Sequence, residues 1–359
     1  MNDFSRQYPV TVDEDRQIGA ALTDMARLGV RSLLLVSEAK VVGFMPSQAD
    51  GPHRQYHPPI DHRPPATAAS SGGADMKAAS IGLFRVLAVL VLTAGVAQAM
   101  DLQLKGKTAL ITGSTGGIGY GIAKVLLTEG AVVIINGRTQ ASVDKAAASL
   151  KQATGRAPLG FAADMSKVAD IARLVKAYPN IDILVNNVAR FAPHEFTQST
   201  DEDWYQTFDL NVMSGVRLSR AYLPGMKQHN WGRIIFISSE SALQIPVESV
   251  AYGMSKAAEI AVARGIAEGC AKTGVTVNSI LPGPTLDPDD PRAAARFGGR
   301  SQADVEEQLF KNQRPTSLIK RFARTEEVAS LVAYVASPLS SATTGAALRV
   351  DGGVVKSAF

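Results

Sequence analysis

Tyr252 and Lys256, four residues apart in "AYGMSKAAEIAVARG", lie on one face of any helix that forms there. A free phenol titrates near pH ~10, too high for a good base at neutral pH. An ammonium at about 4 Å, in an effective dielectric of about 20, contributes roughly 4 kcal/mol, or up to about three pKa units before screening. That would bring Tyr252 into the range of general acid–base work. The spacing alone does not single the pair out, because Tyr120 and Lys124 repeat it. The two pairs differ in what precedes them. Ser239 closes the apolar run "GRIIFISSES" ahead of Tyr252, whereas the corresponding position ahead of Tyr120 is Lys107. Asn211, in "FDLNVMSG", enters a long amphipathic segment between the first and second halves of this region. Taken singly, Ser239 reads as a turn serine and Asn211 as a helix cap; in this order they form a set with Tyr252 and Lys256.

Positioning such a set requires a scaffold, and the pattern after Leu102 supplies one. Short apolar runs alternate with helix-length amphipathic segments: "TALIT" then 118–129, "AVVII" then 141–151, "LGFAA" then 167–177, then "IDILVNN", "GRIIFIS" and "VTVNSIL". Strands alternating with helices predict an α/β fold, a doubly wound and mainly parallel sheet with helices on both faces. The stretch "TALITGSTGGIGYGIAKVLL" places Gly113, Gly116, Gly117 and Gly119 between the first strand and first helix. A backbone that turns sharply and approaches a pyrophosphate wants residues without a Cβ, and a helix start offers free N–H groups and positive dipole. After the first strand of an alternating pattern, this turn predicts dinucleotide binding.

The spacing T-G-x-x-x-G-x-G from Thr112 to Gly119, joined to Asn211, Ser239, Tyr252 and Lys256 in that order, resembles the short-chain dehydrogenases/reductases in their compact single-domain branch. The resemblance covers nearly all of residues 100–359. It implies a Rossmann-type fold and an NAD(P)-dependent oxidoreductase that moves hydride between the cofactor and a carbonyl or secondary alcohol. By the same resemblance Tyr252 is the general acid/base, with its pKa lowered by Lys256. Lys256 also meets the nicotinamide ribose, Ser239 holds the substrate oxygen, and Asn211 positions a water linking Lys256 to solvent. Cofactor contacts are implied for Thr112, Gly113, Ser114, Gly117, Ile118, Gly119, Asp164 on the adenine side, Asn187, and Pro282 and Gly283 in "LPGPT". "RVDGG" resembles the end of the last strand. One departure stands out: where the family has Asn-Asn-Ala-Gly, this chain has Asn186, Asn187, Val188 and Ala189, which adds bulk near the cofactor ribose.

The end of the second strand, "VVIINGRT", selects among nicotinamide cofactors. An acidic residue there would bind ribose hydroxyls; it is absent, and Arg138 is placed to meet an extra phosphate, which favours NADP(H) with NAD(H) as the other possibility. Gly116 stands where many NADP-preferring relatives are basic. The segment from Pro284 to Pro315 is long and polar and reads as a mobile lid. Its Arg292, Arg296, Arg300, Lys311 and Arg314 fit a solvated charged loop better than an anion trap. Long helices around Asn211 and Tyr252 resemble those through which relatives form a homodimer or homotetramer. A catalytically inactive nucleotide-sensing protein of the same fold is the alternative function, and sugar-nucleotide epimerases and dehydratases fit less well.

Composition bounds the remainder. The formal net charge of +4 is modest and forms no nucleic-acid-binding stripe. A single cysteine, Cys270, excludes an internal disulfide, and no histidine cluster predicts a metal. The N-terminal part divides into 1–50, 51–75 and 76–99. The first resembles one CBS motif over Val10–Asp50, with a helix around Ile18–Leu28 and "SLLLVSEAKVVGF" as two strands about a turn. The second is a Pro- and Ser-rich flexible linker, and the third, from Met76 to Ala99, is signal-like. Arg85 interrupts its apolar run below the length of a spanning helix. A cytoplasmic enzyme is the expectation, with export or membrane anchoring through 76–99 as the alternative; Met1, Met76 and Met100 are all possible starts.

Overall fold

The computed structural model describes residues 100–287 and 297–358, together with three strands nearer the N-terminus. Those strands, β1 (Val10–Asp13), β2 (Ser32–Ser37) and β3 (Lys40–Pro46), form a sheet in that order, β1 parallel to β2 and β2 antiparallel to β3. The run read as two strands about a turn therefore pairs Leu34 with Phe44 and Ser37 with Lys40. The helix expected around Ile18–Leu28, the linker 51–75 and the signal-like 76–99 lie outside the described residues.

From residue 100 the alternating pattern folds as a second unit. Its strands are β4 (Thr108–Ile111), β5 (Val132–Gly137), β6 (Leu159–Ala162), β7 (Ile183–Asn186), β8 (Gly232–Ile237), β9 (Val275–Pro282), the short β10 (Thr285–Leu286) and β11 (Ala323–Arg324), and β12 (Ala347–Val350). Seven of them form one sheet in the order β12-β9-β8-β7-β4-β5-β6, every neighbouring pair parallel. Strands covered on both faces read as continuous apolar runs rather than alternations. Accordingly, every residue of β8 and β9 is buried. The two-residue side-chain period then divides them between two cores. Ile111, Ile135, Val185 and Ile235 face one cluster, and Leu110, Ile134, Leu184 and Ile234 face the other.

Helices α1 (Gly117–Thr128), α2 (Gln140–Thr154), α3 (Val168–Ala177), α4 (Asp201–Phe208), α5 (Ser214–Gln228), α6 (Val250–Glu268), α7 (Gln302–Gln308) and α8 (Thr325–Ala336) cover the sheet. Local chemistry sets several ends. Thr139 caps α2 through Ser142 N, and Gly155 closes it in the left-handed region at φ +71°. The segment expected as a polar lid contains α7, which starts because the Ser301 side chain accepts from Asp304 N. What matters for function is the strand order. After β4 the chain moves outward through β5 and β6, then returns to the other side of β4 as β7, and a crevice opens where the direction reverses, at the carboxyl ends of β4 and β7.

Candidate active site

The glycine turn fills that crevice's floor. Gly113 and Gly117 adopt φ +61° and +56°, which a side chain would strain. No side chain caps α1 at Gly116, and its first turn carries no acid, so the helix start is kept for an anionic group from outside. These features fit a pyrophosphate, which is the part of a dinucleotide the turn would hold. Ile118 is half-buried in the first turn of α1.

Thr112 and Ser114, both expected at the cofactor, also hold the turn together. Both are fully buried. The Thr112 hydroxyl accepts from Asn187 N at 2.9 Å and Val188 N at 3.0 Å, tying β4 to the loop after β7. Ser114 Oγ donates to Ile111 O at 2.8 Å and accepts from Asn136 N at 3.0 Å. The two buried hydroxyls fix the shape of the turn. Sequence reasoning missed Asn136, whose Oδ1 accepts from Gly113 N at 3.2 Å while its Nδ2 donates to Ala163 O at 3.0 Å. The available signal was an amide inside an apolar strand.

Asn187 donates through Nδ2 to Thr112 O and Gly113 O at 2.9 and 3.1 Å. The departure from the family pattern is absorbed without strain, because Ala189 is not among the residues with positive φ. Val188 packs on Gly113, where a Cβ would come within 3.0 Å of Val188 Cα. Arg138 lies exposed directly after β5. Asp164 closes a turn after β6, its Oδ1 accepting from Ser166 N and Oγ at 3.0 and 2.8 Å. Gly283 passes so close to the end of β12 that a Cβ would stand 2.5 Å from Asp351 O, and Pro282 ends β9 beside it.

The loop from Asn187 to Phe191 connects the glycine turn to the candidate catalytic residues. Four Cα–Cα steps span at most about 15 Å. At its near end Asn187 holds Gly113; at its far end the Phe191 ring meets the Tyr252 ring edge-on at 5.0 Å. Asn211 secures this loop. It sits in a π-helical turn, Asp209–Met213, that widens the helix between α4 and α5. Its Oδ1 accepts from Arg190 N at 2.7 Å, and its Nδ2 donates to Arg190 O at 3.1 Å and to Ser255 Oγ at 2.9 Å. The direct partners of Asn211 are therefore Arg190 and Ser255, and those of Lys256 are different groups.

Tyr252 and Lys256 share a face of α6 as the spacing required, with Lys256 Nζ 5.6 Å from the Tyr252 ring centre. Lys256 is 2 % exposed and donates to Ile237 O at 2.8 Å and to both carboxylate oxygens of Glu259 at 3.0 and 3.2 Å. Ser239 follows the end of β8, which is tied to α6 beside it: Ser238 Oγ donates to Lys256 O at 2.8 Å and Lys256 Nζ to Ile237 O at 2.8 Å. The pair repeated in α1 is structural by contrast: Tyr120 bonds Ser149 Oγ at 2.7 Å and Lys124 pairs with Glu326 at 3.2 Å.

In the cofactor-free chain burial, the largest cause, keeps the Tyr252 phenol above its ordinary range, although Lys256 lowers it as expected; Glu259 and Glu240 push it up further, and the nearby Ser239 hydroxyl lowers it. Lys256 Nζ stands 5.6 Å from the ring centre, and its pull is outweighed by burial. Glu259, missed in the sequence although it continues the stripe of Tyr252 and Lys256, is pushed up to about 7 by burial, against the pull of Lys256. Glu240, also missed, accepts from Ser239 Oγ at 2.6 Å.

Comparison with known proteins agrees with this geometry. Residues 113–355 match the family described as Enoyl-(Acyl carrier protein) reductase. The chain is 44 % identical over 264 residues to the uncharacterized oxidoreductase YvaG of Bacillus subtilis (strain 168), spanning 72 % of this chain and 100 % of that protein. It is 35 % identical over 261 residues to D-beta-hydroxybutyrate dehydrogenase of Cupriavidus necator, spanning 70 % and 99 %. Among solved structures, L-sorbose reductase from Gluconobacter frateurii, complexed with NADPH and L-sorbose, superposes with a TM-score of 0.65 at 33 % identity, covering 72 % of this chain and 100 % of that one. With a parallel sheet that reverses at the glycine turn, and with Ser239 after β8 next to the Tyr252–Lys256 face of α6, the chain belongs to the short-chain dehydrogenase/reductase family of NAD(P)-dependent oxidoreductases acting on carbonyls and alcohols.

Proposed function

We propose that this oxidoreductase prefers NADP(H) and uses Tyr252 as its general acid/base on a carbonyl or secondary alcohol, with Ser239 holding the substrate oxygen. The observation that carries the reading is that α6, with Tyr252 and Lys256, is hydrogen-bonded to the carboxyl end of β8 next to Ser239 and is linked to the glycine turn by one short loop. When bound, the cofactor supplies or accepts the hydride. The chain's own residues handle the proton. Because burial keeps Tyr252 protonated at neutral pH, its phenol is ready to donate to a carbonyl oxygen as that oxygen gains charge. Lys256, held from behind by Ile237 O and Glu259, stabilises the phenolate left after donation. Asn211 fixes the loop whose Phe191 packs against the tyrosine.

Gly113, Gly117, Ile118 and Gly119 would cradle the pyrophosphate, with Asn187, Asp164, Pro282 and Gly283 around the rest of the dinucleotide. Support for NADP(H) comes from Arg138, exposed after β5 with no acid at the strand end, and from a solved relative that binds NADPH. Homodimer or homotetramer formation is supported by the exposure of Tyr205 and Phe208 on α4. Among the described residues no helix is long and apolar enough to cross a membrane, and the dependence on a soluble nicotinamide pool supports a cytoplasmic location. The test is NADPH and NADH consumption by the full chain against a panel of ketones, aldehydes and 3-oxoacyl thioesters, with Tyr252→Phe as control. Turnover that vanishes in the variant while cofactor binding persists is the expected result; turnover retained in Tyr252→Phe would end the proposal.

A further inference from the structure

Two buried carboxylates outside the family signature flank the proposed catalytic residues: Glu259 beneath Lys256 and Glu240 beside Ser239. Glu240 ties the site to a distant part of the chain. It is 3 % exposed, and its carboxylate takes three hydrogen bonds. Oε2 accepts from Ser239 Oγ at 2.6 Å and Ser241 Oγ at 2.7 Å, and Oε1 accepts from Arg314 Nε at 2.7 Å. Arg314 lies 74 positions later, where the π-helical turn Leu309–Gln313 that continues α7 ends, and its side chain is 13 % exposed.

Ser239 has one hydroxyl proton; without substrate Glu240 Oε2 accepts it, and a substrate carbonyl would take it by rotation of the hydroxyl, so Glu240 sets where that hydroxyl sits. The Ser241 amide donates back to Ser239 Oγ at 3.1 Å, so Glu240 and its neighbour together set the serine's orientation. A carboxylate this buried holds its place only while its charge is compensated; removal of one partner leaves an orphaned charge that the local structure must rearrange to solvate. Arg314 provides the compensation. The stretch that follows it is anchored independently, with Leu318 N and Ile319 N donating to Gly352 O at 2.8 and 3.2 Å.

We propose that Glu240 and Arg314 are positioning residues for Ser239, a latch through which docking of residues 301–314 sets the hydroxyl that meets the substrate oxygen. The inference rests on Ser239 having that role. Because the latch pairs a carboxylate with a guanidinium, it presents the substrate with no net charge, and the group recognised beside Ser239 is a neutral carbonyl or hydroxyl. Arg314 therefore does not act as an anion trap.

The test compares full-length wild type with Arg314→Ala, Glu240→Gln and the Glu240→Gln/Arg314→Ala double variant. Amide hydrogen exchange over residues 239–244, the NADPH dissociation constant from nucleotide fluorescence, and kcat and KM are measured for each. In Arg314→Ala, exchange over 239–244 rises about tenfold or more and kcat/KM falls about tenfold or more, while NADPH affinity moves less than about threefold. The double variant, which has no orphaned carboxylate, recovers part of both losses. Unchanged exchange over 239–244 in Arg314→Ala, or a double variant as impaired as the single one, overturns the latch. If Arg314→Ala loosens the whole sheet, Arg314→Met, which keeps the stem and drops the charge, replaces it under the same two criteria. Tyr252→Phe is assayed alongside: its retention of turnover would end the catalytic reading without touching the exchange result, so the two failures are distinguishable.

Discussion

A matched pair of glycine-to-alanine substitutions tests the packing of the cofactor turn. At Gly119, in the first turn of α1, an added Cβ would stand 2.5 Å from Asn187 Nδ2, 2.7 Å from Gly113 O and 2.9 Å from Ser114 Cα. Two of those atoms belong to a turn fixed by buried hydrogen bonds, and the third donates to Thr112 O and Gly113 O. Overpacking of this kind costs about 1–3 kcal/mol, and weakening two hydrogen bonds adds up to about 2 kcal/mol. Alanine's helix preference offsets about 0.5–1 kcal/mol, leaving a net loss of about 2 kcal/mol at the centre of these ranges. For a domain of this size each kcal/mol moves Tm by about 2–4 °C, so Gly119→Ala should melt roughly 4–8 °C below wild type. Gly265, exposed inside α6 with nothing within 4 Å of the same ideal Cβ, should respond with the opposite sign, rising by about 1–3 °C. Thermal unfolding of the cofactor-free chain reads both, and an NADPH titration should show affinity falling about tenfold in Gly119→Ala alone, as Asn187 is displaced. Wild-type melting and wild-type affinity in Gly119→Ala would refute the account of the turn.

Tyr120→Phe should keep full turnover, because its hydroxyl only bridges to Ser149; a loss comparable with Tyr252→Phe would mean that the wrong tyrosine has been assigned. Arg138→Ala should weaken NADPH by about tenfold or more and leave NADH nearly unchanged, as measured by fluorescence titration, since a charge-assisted phosphate contact is lost. Equal effects on both nucleotides would remove the cofactor preference. Glu259 is pushed up from 4.5 to about 7, with burial the largest cause. Between those values the folded chain binds more protons than the unfolded one, so this group's stabilising contribution is complete below about 4.5 and is lost as pH rises toward about 7. The melting temperature of wild type relative to Glu259→Gln should therefore decline between about pH 5 and 7.5; a constant difference across that range would contradict the buried, proton-holding carboxylate.

Much of the scaffold and part of the site were written into local sequence. Alternating apolar runs and amphipathic stretches specify strands and helices because their two periods are properties of neighbouring residues, and the expected helices 118–129, 141–151 and 167–177 fall within three residues of α1, α2 and α3 at each end. The glycines at 113 and 117 were legible for the same reason: a turn with φ +61° and +56° must be built locally. So was the four-residue spacing that puts Tyr252 and Lys256 on one helical face. The short α7 within the polar segment before Pro315 was not legible, because its Ser301 cap lies within a stretch dominated by charge.

Only the tertiary structure decided what each group does with its proton and its hydrogen bonds. Thr112 and Ser114 are buried by partners distant in sequence, Asn187 in the loop after β7 and Asn136 in β5. Tyr252 is raised rather than lowered because burial depends on everything packed around α6, whereas spacing reveals only the lysine. Glu240 and Arg314 meet across 74 positions, and no local period encodes such a pair. Local sequence determined which elements form and which chemical groups they carry. Desolvation and long-range hydrogen bonding, which exist only once the sheet has assembled, decided the charge, orientation and partners of those groups.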